Sequence, residues 1–263
     1  MSPGLPAGVR WSVEVRREGE VVLARDPDLM LRTASVAKVL LLAEVAARIE
    51  AGELDPAAPL DRRRVEPVGD SGLWQHLATD VLPVADAALL VGSVSDNLAT
   101  NALLDLVGLD AVQARGRALV GDGAVLHDRV RDHRGPDDPP TLSEGSAAAW
   151  VSLLERLWRR ELVGPGVSGR LLGWLAHGTD HSMVAGALGL DPLSHGAAGG
   201  SGPGGVRLWH KTGTDDGVRA DVGIVETPAA TWTYAVIAGW DGGDALVAPV
   251  LAAMRNLGET VTR

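Results

Sequence analysis

The stretch Thr33-Ala-Ser-Val-Ala-Lys-Val-Leu-Leu-Leu-Ala43 is the most informative part of this chain of 263 residues. It continues to Glu50 as a segment rich in leucine and alanine and stops before Gly52, which predicts a helix ended by a glycine. Apolar residues cover most of the circumference, so we expect this helix at the centre of the protein rather than on its surface. Ser35 and Lys38 lie at its start, three positions apart.

The patterns on both sides of this helix are those of strands. Residues 11–16 and 20–25 predict a hairpin, and further strands are predicted at 206–213, 218–225 and 231–240. Helical patterns occupy the middle and the end of the chain, at 83–94, 98–107, 111–119, 146–161, 168–176 and 245–257. We therefore predict an α+β fold: an α/β sandwich whose antiparallel sheet is built from both termini, with an inserted all-helical domain.

The same patterns place the predicted domain boundaries. Residues 1–34 and 204–263 form the α/β domain, and residues 35–203 form the mostly helical domain. A polar loop is predicted at 127–140, where Gly-Pro and Pro-Pro pairs prevent regular structure. A flexible, low-complexity connector is predicted at 196–205.

Composition excludes several classes of function. The formal net charge of −10 leaves no basic field for binding nucleic acid. The absence of cysteine excludes disulfides, thiolate metal sites and a cysteine nucleophile. No apolar run approaches the ~20 residues of a membrane span, and no secretory signal is visible. We expect no membrane association and a cytoplasmic location, or secretion if a leader has been removed; the oligomeric state is not indicated.

The basic residues are distributed unusually. Of the 24 lysines and arginines, only Lys38 and Lys211 are lysine. A composition that favours arginine makes a remaining lysine informative, because lysine can be tuned to lose its proton whereas arginine stays charged. Both lysines are therefore the first candidates for chemistry.

Three short motifs contain these lysines and the serines that accompany them: Ser35-Val-Ala-Lys38, Ser95-Asp-Asn97 and Lys211-Thr-Gly213. Each motif alone is weak, since each is also explained as a helix start, a helix cap or a turn. Together they predict a serine nucleophile with its proton acceptor, placed at a helix start, in a loop before a helix and on a strand.

The predicted roles follow from these positions. Ser35 is the nucleophile, and Lys38, on the same helix face, accepts its proton. Burial and the charge of Lys211 both lower the pKa of Lys38, as this role requires. The backbone N–H groups of Ser35 and Thr214 are the predicted oxyanion hole. Ser95 is predicted to relay a proton to the leaving nitrogen.

Other residues are predicted to hold the substrate. Lys211 pairs with a substrate carboxylate and Asn97 with a substrate amide, which indicates a small-molecule substrate that carries a carboxylate. Neither a metal nor an organic cofactor is expected: His177 and His181 have helical metal-site spacing, but Gly178 breaks the helix between them. Further predicted contacts with the substrate come from Thr212, Gly213, Thr214 and Arg219, with an exposed strand arginine as the alternative for Arg219.

On these motifs the chain resembles class A β-lactamases and the wider family of penicillin-recognising serine hydrolases. The resemblance covers nearly the whole chain: the two motif serines stand 60 positions apart, and Arg48-Ile-Glu-Ala-Gly-Glu-Leu-Asp55 is similar to the family's stretch after the nucleophile helix. It implies a site in the groove between two domains and an acyl-enzyme formed without metal or cofactor.

One departure from this family concerns release of the acyl group. The family carries a glutamate on an Ω-shaped loop, two residues after an Asp-Arg pair, and this glutamate activates the deacylating water. The counterpart here is Asp128-Arg129-Val130-Arg131, with Arg131 at the position of the glutamate. Glu144 is the nearest alternative base, although Thr141-Leu-Ser-Glu144 also predicts a capping box for the helix that begins near residue 146. Asp128, as a loop-stabilising partner of Arg129 or as a base, and Asp132 are the remaining candidates.

The sequence therefore predicts a β-lactamase-type serine hydrolase that acts on cyclic amides and takes part in β-lactam breakdown and antibiotic resistance. It forms an acyl-enzyme on Ser35 with β-lactam, amide or ester substrates, and the missing glutamate leaves the speed of hydrolysis open. The alternatives are a non-hydrolytic protein that binds penicillin or a muropeptide, a D-Ala-D-Ala peptidase-like enzyme, and an esterase.

Overall fold

The computed structural model describes residues 4–194 and 203–262. Ten strands are present in these residues: β1 (Arg10–Arg17), β2 (Glu20–Arg25), β3 (Leu31–Arg32), β4 (Pro59–Asp61), β5 (Val81–Pro83), β6 (Ala124–Leu126), β7 (Ser143–Gly145), β8 (Arg207–Asp215), β9 (Val218–Glu226) and β10 (Thr231–Gly239). The same residues form seven α-helices: α1 (Lys38–Glu50), α2 (Val84–Val94), α3 (Asn97–Val107), α4 (Leu109–Val120), α5 (Ala147–Trp158), α6 (Pro165–Leu175) and α7 (Val247–Gly258).

Both ends of the chain contribute to one five-stranded antiparallel sheet in the order β2-β1-β10-β9-β8. The first strand of the N-terminal hairpin pairs with the last strand of the chain, with Val13 opposite Val236. This arrangement confirms the predicted sheet made from the two termini. The order places β8 at one edge, where it borders the cleft described below.

Helices cover both faces of this sheet, and each face has its own hydrophobic core. The inner face contributes Ala220, Val222, Ile224, Ala235 and Ile237 to a large core shared with α1 to α6. On the outer face, α7 packs together with the segment 183–188. The sheet is therefore buried on both sides, which holds β8 in a fixed position relative to the helices.

Helix α1 lies at the centre of the larger core. Its residues from Val39 to Leu42 are 0% exposed, as expected for a helix that is apolar nearly all round. Glu44 is, with Lys38, a buried charged residue of this helix, and its carboxylate is bonded by Arg48 and Arg115 at 2.8 and 2.9 Å. These bonds satisfy a buried charge and connect α1 to α4.

The structure confirms the predicted α+β arrangement and the order of its elements. Residues 127–140 form neither helix nor strand, as the proline and glycine pairs predict. Of the predicted connector at 196–205, residues 196–202 lie outside the described residues, and Pro203–Gly205 form a short 3-10 turn. The domain boundaries stay a prediction, and α5 packs on β1, β9 and β10 as well as on α4 and α6.

None of the helices in residues 4–194 and 203–262 has the length and apolar character to cross a membrane.

Candidate active site

Ser35 lies in a 3-10 turn, Ala34–Ala37, that leads directly into α1. The residue before it, Ala34, has a φ of 46°, a left-handed conformation that is strained for a residue with a Cβ. Hydrogen bonds hold this backbone in place: the Ser143 hydroxyl donates to the Ala34 carbonyl at 2.7 Å and is itself 2.8 Å from the Thr33 hydroxyl. The turn therefore presents Ser35 in a defined orientation at the start of the helix.

Lys38 is fully buried one turn further along. Its Nζ donates to the Ser95 carbonyl and to Asn97 Oδ1, both at 2.7 Å, and lies 3.3 Å from Ser95 Oγ. Burial, and after it the charge of Lys211, lowers the pKa of Lys38 well below its usual value, while Asp96 and Asp70 act weakly in the opposite direction. A neutral amine donates its two protons to the two nearest acceptors and keeps a lone pair free to take a third.

Ser95 is positioned by the junction between α2 and α3. It ends α2 in a left-handed conformation with a φ of 58°. The next residue, Asp96, caps α3 by accepting a hydrogen bond from the Ala99 N–H at 2.9 Å, and it also accepts the N–H groups of Leu73 and Trp74 at 2.7 and 2.8 Å. The Ser-Asp-Asn motif is thus both a structural cap and the means by which Ser95 Oγ is turned toward the two lysines.

Lys211 approaches Ser95 from the opposite side, on β8. Its Nζ donates to Ser95 Oγ at 3.0 Å and to the Thr212 carbonyl at 2.8 Å. Burial lowers the pKa of Lys211 to about 8, against the charges of Asp180 and Asp221, which raise it. Because neutral Lys38 uses its two protons on the Ser95 carbonyl and Asn97 Oδ1, Lys211 is the amine that donates to Ser95 Oγ, and the proton of this hydroxyl is left for another partner.

Gly213 explains how closely β8 passes Ser35. A Cβ at this position would lie 2.1 Å from the Thr33 carbonyl oxygen and 3.1 Å from the Ser35 nitrogen. Only glycine fits against this backbone. The contact brings the edge of the sheet to the start of α1 and sets the following residue, Thr214, beside Ser35.

The resulting cleft has two halves that meet at Ser35, and Ser71 and Thr214 also line both. The first, which we call the Lys211 half, has a volume of about 320 Å³. It is lined by Ser35, Ser71, Gly92, Ser93, Val94, Ser95, Gly178, Thr179, Asp180, His210, Lys211, Thr212 and Thr214. The second, the Arg131 half, has a volume of about 390 Å³. It is lined by Ala34, Ser35, Asp70, Ser71, Asn97, Val130, Arg131, Asp132, Arg134, Pro140, Leu142, Thr214 and Asp215.

Asp128 organises the loop that forms the Arg131 half. Its carboxylate accepts hydrogen bonds from Arg131 Nε at 2.7 Å, Arg134 Nη1 at 2.6 Å and the Arg129 N–H at 2.8 Å. Burial alone would raise the pKa of Asp128, but the bonds from Arg131 and Arg134 outweigh it and lower the pKa. Asp128 therefore stabilises the loop chiefly with Arg131 and Arg134, whereas the guanidinium of Arg129, the expected partner, bonds to Asp105 at 2.7 Å.

Two of the predicted site residues point elsewhere. Glu144 lies on β7, 3.0 Å from His127 Nε2, and is not among the described residues that line either half of the cleft. The predicted capping box was wrong: the N-cap of α5 is Ser146, which accepts the Ala149 N–H, because Glu144 is held in a strand.

Arg219 is likewise engaged away from the cleft. Its Nη1 donates to the carbonyls of Asp215 and Val218 at 2.9 and 2.7 Å. Its guanidinium lies 5.9 Å from the centre of the Trp240 ring. These contacts stabilise the β8–β9 turn, and Arg219 lies on a strand as the alternative stated above has it, although it is half-buried and not exposed.

Asp180 and His210 line the Lys211 half and were missed from the sequence as site residues. His210 Nδ1 is 3.1 Å from Asp221 Oδ1, which also accepts the Tyr234 hydroxyl at 3.0 Å. The available signals were a histidine directly before Lys211 and the polar run His177-Gly-Thr-Asp-His181 just after α6. Both have ordinary structural explanations until the tertiary fold brings them together.

Comparison with known proteins agrees with this arrangement. The chain is 27% identical over 277 residues to the beta-lactamase regulatory protein BlaB of Streptomyces cacaoi, a match that covers 89% of this chain and 88% of that protein. A beta-lactamase structure from Sphaerobacter thermophilus has a TM-score of 0.81 at 25% identity and covers 96% of this chain and 89% of that one. PBP-A shares the fold, with a TM-score of 0.77 at 17% identity over 98% of this chain and 91% of its own.

Residues 6–262 match the sequence model of the family described as "Beta-lactamase enzyme family". The match spans nearly the whole chain and contains all three motifs, Ser35 to Lys38, Ser95 to Asn97 and Lys211 to Gly213. The protein is thus a serine hydrolase of the β-lactamase type, and the chain belongs to the beta-lactamase enzyme family.

Proposed function

We propose that the cleft opens the strained amide of a β-lactam, and accepts related amides or esters, by forming an acyl-enzyme on Ser35. The observation that carries this proposal is the convergence of the two lysines on one hydroxyl. Lys38 Nζ and Lys211 Nζ lie 3.3 and 3.0 Å from Ser95 Oγ, and Ser35 lines the same half of the cleft as Ser95 and Lys211. A protein that only binds its ligand has no need for a buried amine with a lowered pKa next to a hydroxyl.

The proton transfers follow from these contacts. The lone pair of neutral Lys38 takes the Ser35 proton as Ser35 Oγ bonds to the substrate carbonyl carbon. The N–H groups of Ser35 and Thr214 stabilise the oxyanion of the tetrahedral intermediate. When the carbon–nitrogen bond breaks, Ser95 gives its proton to the leaving nitrogen and regains one from Lys38, which leaves Lys38 neutral again.

The substrate is placed by the rest of the cleft. Asn97, whose Nδ2 donates to the Gly69 carbonyl at 2.9 Å, borders the Arg131 half, where the amide of the substrate is expected. The ammonium of Lys211, with Thr212, Gly213 and Thr214, forms the end that meets a substrate carboxylate. A contribution from Arg219 requires its guanidinium to leave the carbonyls of Asp215 and Val218. The cytoplasmic location stays a prediction.

Release of the acyl group is the slow step in this proposal. At the position where the resemblance implies a general base, Arg131 donates to Asp128 instead. Asp132 lines the same half, but its Oδ1 is already occupied by the Gly69 N–H at 2.9 Å. An arginine cannot take a proton from water at accessible pH, so we expect the acyl-enzyme to accumulate.

A second candidate function follows from the same feature. A protein that is acylated once and loses its acyl group slowly can report or sequester a β-lactam instead of hydrolysing it repeatedly. The absence of a carboxylate base at Arg131 favours this candidate, and the relative from Streptomyces cacaoi is named a regulatory protein. The two functions share Ser35 acylation and differ only in turnover.

The first prediction distinguishes them. The protein is incubated with benzylpenicillin and with nitrocefin, and intact-protein mass spectrometry and absorbance are followed together. We expect a covalent adduct of one acyl group per chain that is abolished in Ser35→Ala, since Ser35 is the nucleophile. A single stoichiometric burst supports the reporting function, and steady turnover supports hydrolysis. Equal labelling of the wild type and Ser35→Ala would refute both.

A further inference from the structure

Asp180 lies in the Lys211 half of the cleft, in the loop that follows α6. The inference drawn from it rests on the proposed function and concerns the substrates that this half accepts. The Ser182 N–H donates to Asp180 Oδ1 at 3.1 Å and fixes the carboxylate in place. Burial acts to raise the pKa of Asp180, but hydrogen bonds from Ser182 and Thr212 outweigh it, so the pKa is lowered and the group is ionised at neutral pH.

The carboxylate is unexpected at this place because the Lys211 half is the end that receives an anion. Asp180 and Lys211 line it together, and the charge of Asp180 raises the pKa of Lys211 more than any other charged group does. Their charges therefore attract, although no ion pair within 4.0 Å joins them among the described residues. The ammonium of Lys211 is already partly compensated before any substrate arrives.

His210 also lines this half, and its Nδ1 lies 3.1 Å from Asp221 Oδ1, so a positive charge on His210 is offset by that carboxylate. Asp221 is fully buried behind β8 and adds a second negative charge, bonded to His210 and to the Tyr234 hydroxyl. The pKa of Tyr234 is raised well above its usual value, first by burial, so this hydroxyl stays neutral. Burial, with the charge of His210, lowers the pKa of His181, which keeps the imidazole of His181 neutral at pH 7.

The hydrogen-bond donors of this half are also partly occupied. Arg219 donates to carbonyls of the β8–β9 turn. Of the three donors on Lys211 Nζ, two are used by Ser95 Oγ and the Thr212 carbonyl. A substrate carboxylate that enters here meets one remaining lysine donor, the hydroxyl of Thr214 and the like charge of Asp180.

We propose that Asp180 is a specificity-determining residue: it disfavours substrates that bring a carboxylate to the Lys211 half, relative to substrates that bring an uncharged ester or amide. The side chain acts directly on the bound substrate, through repulsion of the substrate carboxylate. Carboxylate-bearing β-lactams are still acylated, but more slowly than a cleft without this residue would allow.

The test compares two substrates that differ only in this charge: nitrocefin and its methyl ester. The second-order rate constant for acylation of Ser35 is measured for the wild type and for Asp180→Asn, which keeps the shape and the acceptor for the Ser182 N–H. For nitrocefin we expect an increase of about tenfold or more, since one like charge is removed at short range in a partly buried site. For the methyl ester we expect a change of less than about twofold.

The measurement is made at pH 6 for a specific reason. Loss of the Asp180 charge lowers the pKa of Lys211 further, from about 8 in the wild type, and would discharge the ammonium at higher pH. At pH 6 Lys211 stays protonated in both proteins, so a loss of the Lys211 charge does not contribute to the difference between them. Asp122→Asn, an exposed residue on the turn before β6, makes the same charge change far from the cleft and is expected to alter neither rate constant.

Each outcome decides the proposal. The deciding quantity is the acylation rate constant for nitrocefin divided by that for its methyl ester. If this ratio is unchanged or lower in Asp180→Asn than in the wild type, the proposal is overturned. Asp180→Ser is the second variant, in case the first folds poorly, and is expected to move the ratio in the same direction. Failure of the proposed function would give a different result: the wild type and Ser35→Ala would then show equal covalent labelling with both substrates.

Discussion

The two lysines of this site have unlike surroundings, which suit them to unlike tasks. Lys38 is buried among neutral acceptors and faces a second cation, which favours its neutral form. Lys211 is buried as well, but the carboxylates of Asp180 and Asp221 favour its charged form. One amine is therefore suited to accept a proton and the other to hold a charge, although the two side chains are chemically identical.

This difference predicts the pH dependence of acylation. In the proposed function Lys211 is charged when it binds a carboxylate and orients Ser95, and its pKa is about 8. We expect the acylation rate with benzylpenicillin to be half-maximal near pH 8 and to fall further above it, toward about tenfold per pH unit. The rate is measured by quenched mass spectrometry between pH 5 and 10.

The matched control for this profile is Lys211→Arg. Arginine keeps its charge throughout the range, so the variant is expected to be slower but to lose the decrease above pH 8. If the decrease persists in Lys211→Arg, a group other than Lys211 causes it.

At this scale the sequence predicted the residues that local motifs contain and missed those that the fold brings in. Ser35, Lys38, Ser95 and Lys211 stand in short patterns, and the rarity of lysine pointed to two of them. Asp180 arrives from a loop that is distant in the chain, so no local pattern predicts it. The roles of all these residues stay predictions until the experiments above are done.

Strand β8 is the element on which the site depends most. It is the edge of the sheet, so alternate N–H groups along it face the cleft rather than another strand. It also carries Lys211, Thr212 and Thr214 and passes within contact of the Ser35 backbone at Gly213. Its register against β9, with Lys211 opposite Val222, fixes which side chains face the helices.

The close approach at Gly213 yields a prediction about packing. Gly213→Ala places a Cβ against the Thr33 carbonyl and must push β8 away from the start of α1. We expect a loss of stability of about 1–3 kcal/mol and a fall in the acylation rate of about a hundredfold. Urea denaturation and the mass-spectrometric acylation assay measure the two effects.

Gly239→Ala is the matched control in the same sheet. A Cβ there would have only the Leu31 side chain at 3.6 Å, an ordinary contact. This variant is expected to keep the acylation rate within about twofold of the wild-type value. Its free energy of unfolding is expected to fall by less than that of Gly213→Ala. Equal losses in the two variants would mean that any alanine in this sheet is harmful and that the contact with Thr33 is not the cause.

The elements themselves were predictable because their periodic patterns are long and their turns are marked. Strands β1, β2 and β8 to β10 and helices α1 to α7 all lie within a few residues of the predicted ranges. The error at Glu144 has a physical cause: the short strand β7 is fixed by pairing with β3 and β6, which no local pattern announces. The 3-10 turn at Ala34–Ala37 likewise results from contacts of Thr33 and Ser143.

The larger hydrophobic core contains side chains from both the sheet and the helices. Ala220, Val222, Ile224 and Ile237 from the sheet belong to the same buried cluster as Leu40 and Leu42 from α1. Because the cleft runs along the seam between these parts, the shared core is what keeps Ser35 and Lys211 in register.

A shared core predicts that the parts unfold together. We expect one cooperative urea transition, with far-UV circular dichroism and tryptophan fluorescence giving the same midpoint. The probes are well placed, since Trp74 and Trp150 lie in the larger core and Trp232 and Trp240 in the core on the outer face of the sheet. Two resolved transitions would instead support independent domains with the boundaries predicted from the sequence.

The burial of both lysines also changes what the outside of the protein offers to reagents. Lys38 and Lys211 are 0% and 3% exposed, and every other strongly basic side chain in the sequence is an arginine. No lysine side chain is therefore exposed on the surface to react with acylating dyes, aldehyde cross-linkers or acetylating agents. Side-chain amine modification is therefore confined to the cleft. A small electrophile that reaches it would inactivate the protein without modifying side-chain amines on the surface.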